Sequence, residues 1–269
     1  MRKIFTVFAL LFVFYSINSA HCAPYFGQVE RNAASSANTL IDSQTKTPVS
    51  GAKVSLPQKM MSTKTDKNGK FYLDAQVQGA TIMNIEKNGY KPYSLTIDEN
   101  TLSKPLVVGI EKSSTQELML EDDLCHIGDN NFSMNSANAS EFRIKSAGAS
   151  FSRNFKIPVL KDNNEPVLII GSIIGIDTLM AQKIGQSHAI NAYASPPEVY
   201  FNGNKVAEIQ INGDNQEIRL PIGLINQGRE NNITIKAGRN LFQHDYTDYD
   251  DIEFMNLYID YKPSTLAKY

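Results

Sequence analysis

Between Asn38 and Tyr261 helical periodicity is almost absent, and apolar side chains instead recur at every second position. "GAKVSL" alternates Ala52, Val54 and Leu56 with polar neighbours, "GKFYL" sets Phe71 and Leu73 on one face, and "EVYFNGNKVAEIQI" alternates on both sides of Asn202-Gly203. A period of two belongs to strands with one buried face. Asn68-Gly69, Asn88-Gly89 and Asn202-Gly203 punctuate these runs with residues that accept the positive φ of tight turns. The pattern predicts hairpins around each of the three. In the second half it predicts strands over 142–147, 151–158, 167–176, 199–211, 218–220, 233–237 and 252–261. Residues 177–193, "DTLMAQKIGQSHAINAY", are the one stretch able to hold a helix, and they read as a long connection between strands. The fold class is therefore all-β.

The texture divides the chain. Residues 37–112 make a small antiparallel sandwich, and the polar run 113–124, "SSTQELMLEDDL", reads as a linker. A second β unit fills 125–262 and a short tail follows over 263–269. At the N-terminus Arg2 and Lys3 precede the apolar "IFTVFALLFVFY" and the small-polar "SINSAHCA", the order of a secretory signal peptide over 1–23. Residues 24–36 read as a flexible leader. The expectation is a mature protein with no transmembrane segment, secreted or periplasmic. Two cysteines make no disulfide framework. Cys125 is a lone thiol if cleavage removes Cys22, and a Cys22–Cys125 bridge is open if it does not. A net charge of −2 disfavours nucleic acid as a partner.

The words "DSQTKTPVSGAKVSL", "STKTDKNGKFYLDA" and "IMNIEKNGYKPYSLTI" resemble the carboxypeptidase regulatory-like domain, a transthyretin-like β-sandwich. The matching positions are Pro48, Gly51, Ala52, Val54, Thr65, Asp66, Asn68, Gly69, Phe71, Gly89 and Tyr90. In that family the domain is mostly an accessory module, so the resemblance names no reaction. The second half resembles a galactose-binding-like jelly roll through "HIGDNNFS", "NASEFRI", "PEVYFNGNKVAEI", "LPIGLINQGRENNITIKAG" and "DYDDIEFMNLYI". That architecture implies carbohydrate binding, although the chain has no tryptophan, the commonest sugar-stacking residue of such modules.

The densest chemistry is "HDYTDYDDIEF", where Asp245, Asp248, Asp250, Asp251 and Glu253 crowd ten residues. Acid–base catalysis needs carboxylates in contrasting surroundings, whereas these share one polar loop. No G-x-S-x-G, H-E-x-x-H or C-x-x-C occurs, and His126, His188 and His244 are scattered. The expectation is a non-catalytic binding protein. Jelly rolls of the resembling kind often carry a structural calcium between first loop and last strand, which implies Asp129 and Asn131 with Asp250 and Glu253 as ligands. The competing reading is a solvated acidic loop. For a glycan, Tyr193, Tyr246 and Tyr249 are the stacking candidates. The other reading of the partner is an envelope protein, and a third is a hydrolase with an unrecognised site.

Overall fold

The computed structural model describes residues 37–73, 77–114, 117–138, 140–160 and 164–263. The signal-peptide, leader and most of the tail expectations fall outside them. The described residues form one compact unit, whose regular elements are nearly all strands. No helix among them is long and apolar enough to cross a membrane.

The first sandwich is built from β1 (Asn38–Asp42), β2 (Lys53–Leu56), β3 (Met61–Lys64), β4 (Lys70–Phe71), β5 (Thr81–Glu86), β6 (Tyr93–Ile97) and β7 (Val107–Ile110). One sheet has the order β4-β1-β7 and the other β3-β2-β5-β6. Leu40, Val54, Phe71, Met83, Ile97 and Ile110 meet between them. The Asn88-Gly89 loop joins β5 to β6 in a hairpin, as predicted. Asn68-Gly69 does not make one, because β3 pairs with β2 while β4 pairs with β1. The turn hands the chain from one sheet to the other. Asp66 shapes it by accepting the Asn68 and Lys70 amides, each at 2.8 Å. Gly69, at φ +72°, lies so close to the Leu40 carbonyl that a β-carbon would collide with it.

The second sandwich contains β8 (Leu118–Glu121), β9 (Cys125–Ile127), β10 (Ser150–Lys156), β11 (Asn164–Ile174), β12 (Glu198–Phe201), β13 (Asn204–Glu208), β14 (Gly213–Arg219), β15 (Glu230–Lys236) and β16 (Ile252–Pro263). Its sheets run β10-β15-β12-β13 and β14-β11-β16-β8, with β9 also on β16. Ile127, Leu168, Ile170, Phe201, Ile233, Ile252, Phe254 and Leu257 form its core. The β12–β13 hairpin turns on Asn202 (φ +48°) and Gly203 (φ +80°), the two positive φ values of a primed turn. A short α-helix, α1 (Leu179–Lys183), begins inside the 177–193 connection, with Thr178 Oγ1 capping the Ala181 amide.

Two further expectations fail. Residues 113–124 are not simply a linker: β8 pairs with β16 through Met119↔Tyr258 and Leu118↔Ile259, and Leu120 is buried in the second core. Alternating Leu118 and Leu120 gave a strand signal that the flanking acids masked. Residues 142–147 are not a strand. They are tethered instead to β9 and its loop, by the Ala147 amide on the His126 carbonyl (2.9 Å) and the Ser146 amide on Asn130 Oδ1 (2.9 Å).

The sandwiches share a seam. Strands β5 and β6 lie on the outer face of β11, β14 and β16, where Ile82, Ile174 and Met255 make a small apolar cluster. Buried polar pairs flank it: Gln58 Nε2 to Glu253 Oε2 (2.6 Å) and Asn256 Nδ2 to Asn84 Oδ1 (2.9 Å). At its rim Asp214 accepts the Thr96 amide (2.9 Å) and hydroxyl (2.7 Å). Gly171 permits the approach, since a β-carbon there would stand 2.6 Å from Ser94 Oγ and 2.7 Å from Asn256 Cβ.

Candidate functional site

Strand β11 leaves its sheet at Gly175 (φ +91°) and delivers Asp177 into the end of the second sandwich. The chain passes through α1 and returns, with the Ala194 amide on the Asp177 carbonyl (2.9 Å). The stretch before β16 closes the same end: the Asp250 amide binds the Gly238 carbonyl (3.0 Å) and the Asn240 amide the Asp248 carbonyl (2.8 Å). Asp177, Asp248, Asp250 and Asp251 are thereby at most 1% exposed. A buried carboxylate is costly unless it is paired or richly hydrogen-bonded, and these four are served very unequally.

Asp248 is satisfied on both oxygens. Asn131 Nδ2 (2.9 Å) and the Ser136 hydroxyl (2.6 Å) donate to Oδ1, and Asn240 Nδ2 (2.9 Å) donates to Oδ2. Asp251 faces His126, whose Nε2 lies 2.7 Å from Oδ1. The other ring nitrogen of His126 meets the Ile144 carbonyl. With an acceptor at each nitrogen the ring donates twice, which requires the imidazolium. Burial pulls the His126 pKa down, but the bonds to Asp251 and Ile144 outweigh it and the net shift is upward. Gly128, at φ +147°, is needed here because a β-carbon would fall on the Asp251 carboxylate.

Asp177 and Asp250 have less. The Asp177 amide donates to Asp250 Oδ2 at 3.1 Å and the Ser187 hydroxyl donates to Asp177 Oδ1. Asp177 Oδ2 and Asp250 Oδ1 are buried with no hydrogen-bond partner, and so is Asp251 Oδ2, because His126 and the Asn130 amide both meet Oδ1. Burial pushes Asp177 up to about 6, with the Gln182 amide partly opposing. Burial, and then the Asp177 charge, push Asp250 well above the ordinary carboxylate range.

The four ligands implied for calcium do not form one coordination sphere. Asp129 spends Oδ1 on the Asn131 amide and Oδ2 on the Tyr249 amide, both at 2.9 Å. Asn131 accepts from the Ser133 amide and donates to Asp248. First loop and last strand are thus clamped by direct hydrogen bonds. Asp250 lies with Asp177, whereas Glu253 points to the seam and Gln58. Residues three apart along an extended chain face opposite ways, which separates Asp250 from Glu253. Among the described residues, three acids whose oxygens converge within 4.8 Å are Glu121, Asp122 and Asp123, of which the last two are exposed. The pattern missed Asp177, a lone acid after an apolar strand that reads as the start of a turn.

Of the stacking candidates, Tyr193 is half-buried and stands edge-on to Phe242, with ring centroids 4.7 Å apart. Phe242 is 55% exposed and Tyr246 54%. Tyr249 packs against the second core instead. His188 and His244 are exposed and remote in role from the buried His126. Cys125 is a free thiol whose pKa burial pushes up to about 12, the Glu121 charge adding to it. A separate cleft of about 490 Å³ lies along the seam, where the Lys91 ammonium is 3.1 Å from Asp260.

The architecture is that of an all-β protein made of two sandwiches with a buried acidic cluster at one end of the second. Residues 39–121 match the family model for the CarboxypepD_reg-like domain, so the resemblance read from residues 37–112 holds and extends through β8. A search of curated proteins gave no match.

Proposed function

We propose that the chain is an exported, non-catalytic binding protein whose second sandwich, of galactose-binding-like jelly-roll type, takes a carbohydrate at the end where the 177–195 and 238–250 connections meet. The observation that carries this reading is the Tyr193–Phe242 pair, with Phe242 more than half exposed. The same loop brings Tyr246, likewise more than half exposed, and His244, Asp245 and Thr247, all exposed. Exposed rings beside polar donors and acceptors are what a pyranose needs: an apolar face to stack on and partners for its hydroxyls. Phe242 and Tyr246 take the place of tryptophan in this reading, and Tyr249 drops out as a packing residue. Export rests on the pattern of residues 1–23.

A second reading, docking of an envelope protein by strand addition, is supported by β13 and β14. They are free sheet edges flanking one groove of about 560 Å³, lined by Val206, Ile209, Ile218 and Arg219 among others.

A glycan array with the mature protein tests the proposal, Phe242→Ala and Tyr246→Ala serving as variants. Losing one stacking ring costs about 1 kcal/mol or more, so each should weaken glycan binding by roughly fivefold or more while leaving the melting temperature in place. Silence on glycans together with specific capture of one protein, lost when β13 is blocked by proline, would transfer the function to the sheet edges. The mature N-terminus, read by mass spectrometry on exported protein, should fall between His21 and Pro24.

A further inference from the structure

We infer that the cleft along the seam takes an organic cation, an alkylammonium or guanidinium group carried on an apolar stem. The inference does not depend on what the protein binds at its loops. Strand register builds the floor of the cleft. Ile169 of β11 stands between Glu217 of β14 and Tyr258 of β16, and one row further on Val167 stands beside Asp260. Val167, Ile169 and Tyr258 pack together on that face. The first sandwich supplies the facing side, with Lys91, Tyr93 and Ser94 where β6 starts and Glu111 just past β7. About 490 Å³ stays open between the two.

The charges of the cleft do not balance. Lys91 is shared by Asp260 (3.1 Å), Glu117 (3.6 Å) and Glu111 (3.7 Å), while Lys262 pairs with Glu217. Four acids against two lysines leave two negative charges. Burial, and then the charges of Asp260, Glu117, Glu111 and Glu217, push the Tyr258 hydroxyl above its ordinary range. A second observation points to a guest. Ser94 is 4% exposed, and its Oγ is buried with no hydrogen-bond partner among the described residues. Buried hydroxyls are nearly always partnered, and an N–H donor entering the cleft would give this one its bond. Excess negative charge repels anions. A metal ion needs oxygens that converge on one point, and among the described residues the carboxylates that do so are those of Glu121, Asp122 and Asp123. An organic cation needs no such convergence. Its N–H groups reach separate carboxylates and Ser94, while its stem lies on Ile169 and against the Tyr93 and Tyr258 rings, which also attract the charge.

The test is titration of the full mature chain at low salt, followed by calorimetry and by amide chemical shifts around Ser94. The probes are diaminopentane and, separately, a lysine peptide blocked at both ends. Millimolar or tighter binding is expected, and the tighter of the two tells a free amine from a basic side chain as the source. Glu217→Gln should weaken binding about threefold, what a partly exposed charge pair contributes. Lys262→Gln frees Glu217 and should tighten binding by a similar factor. Both side chains are partly exposed, so the fold survives either change, and opposite signs at two partners do not arise from a merely structural role. Lys205→Gln makes the same change of charge on β13, in the other sheet, and should leave the affinity where it was. Failure of both probes to bind would overturn the site. So would tighter binding of the dicarboxylate glutarate, or a Lys262→Gln variant that binds the amines no more tightly than wild type.

Discussion

Glu253 carries the clearest consequence at the scale of a single residue. It is fully buried in the seam, with Oε2 on Gln58 and Oε1 unpartnered. Burial pushes its pKa up to about 7, against the bond from Gln58 and the charge of His126. A carboxyl whose folded pKa is raised binds its proton more tightly when folded. Its contribution to stability is full below the unfolded value near 4.5 and disappears as the pH rises through about 7. His126, also raised, works in the same direction: full below 6.5, lost as pH climbs through its folded value. The protein should therefore lose stability between about pH 4.5 and 7 through Glu253, and further above 6.5 as His126 gives up its proton. The Glu253 share is on the order of 3 kcal/mol at 1.36 kcal/mol per pKa unit. Chemical denaturation in chelator at several pH values measures it, and Glu253→Gln should flatten the slope. An unchanged slope in that variant would place the titration elsewhere. The acidic stretch was legible as dense charge, but its division was not. Which acid pairs with His126, which with Asn131 and which with nothing depends on strand register and on loops far apart in sequence.

At the scale of elements, alternation located β5, β6, β10, β11, β12, β13, β15 and β16 from the sequence. It failed where a segment is held by side chains or by a distant partner. Residues 142–147 alternate well enough, yet their hydrogen bonds go to His126 and Asn130 rather than to a ladder. β8 looked like linker because "EDDL" follows it, and its partner β16 is more than a hundred residues away. Asn68-Gly69 carries hairpin chemistry but serves a corner, since local turn preference does not say which sheet each arm joins. The β8 pairing has a measurable result. Amides of Leu118 and Leu120 should exchange as slowly as those of β16, and a protease should not separate two stable halves at 113–124. Rapid exchange at both leucines would show that β8 is only loosely attached.

The whole molecule should behave as one cooperative body, because the seam buries apolar side chains and polar pairs from both sandwiches. Calorimetry should give a single transition whose calorimetric and van't Hoff enthalpies agree. Gly171→Val, which drives a branched side chain into Ser94 and Asn256, should cost about 1–3 kcal/mol and is the substitution best placed to split the transition in two. Two transitions in wild type would mean the seam contributes little. The position of β16 has a further result. It stands in the middle of its sheet, with β11 on one side and β8 and β9 on the other, so nothing N-terminal to residue 252 can stand in for it. Until residues 252–263 arrive, β11 and β8 have no common neighbour, and the apolar faces they offer remain open. A chain emerging from its N-terminal end would therefore keep its second sandwich open until nearly all of it is out. That sandwich would lock only when this final strand slides in, so the last strand made is the one that completes the fold.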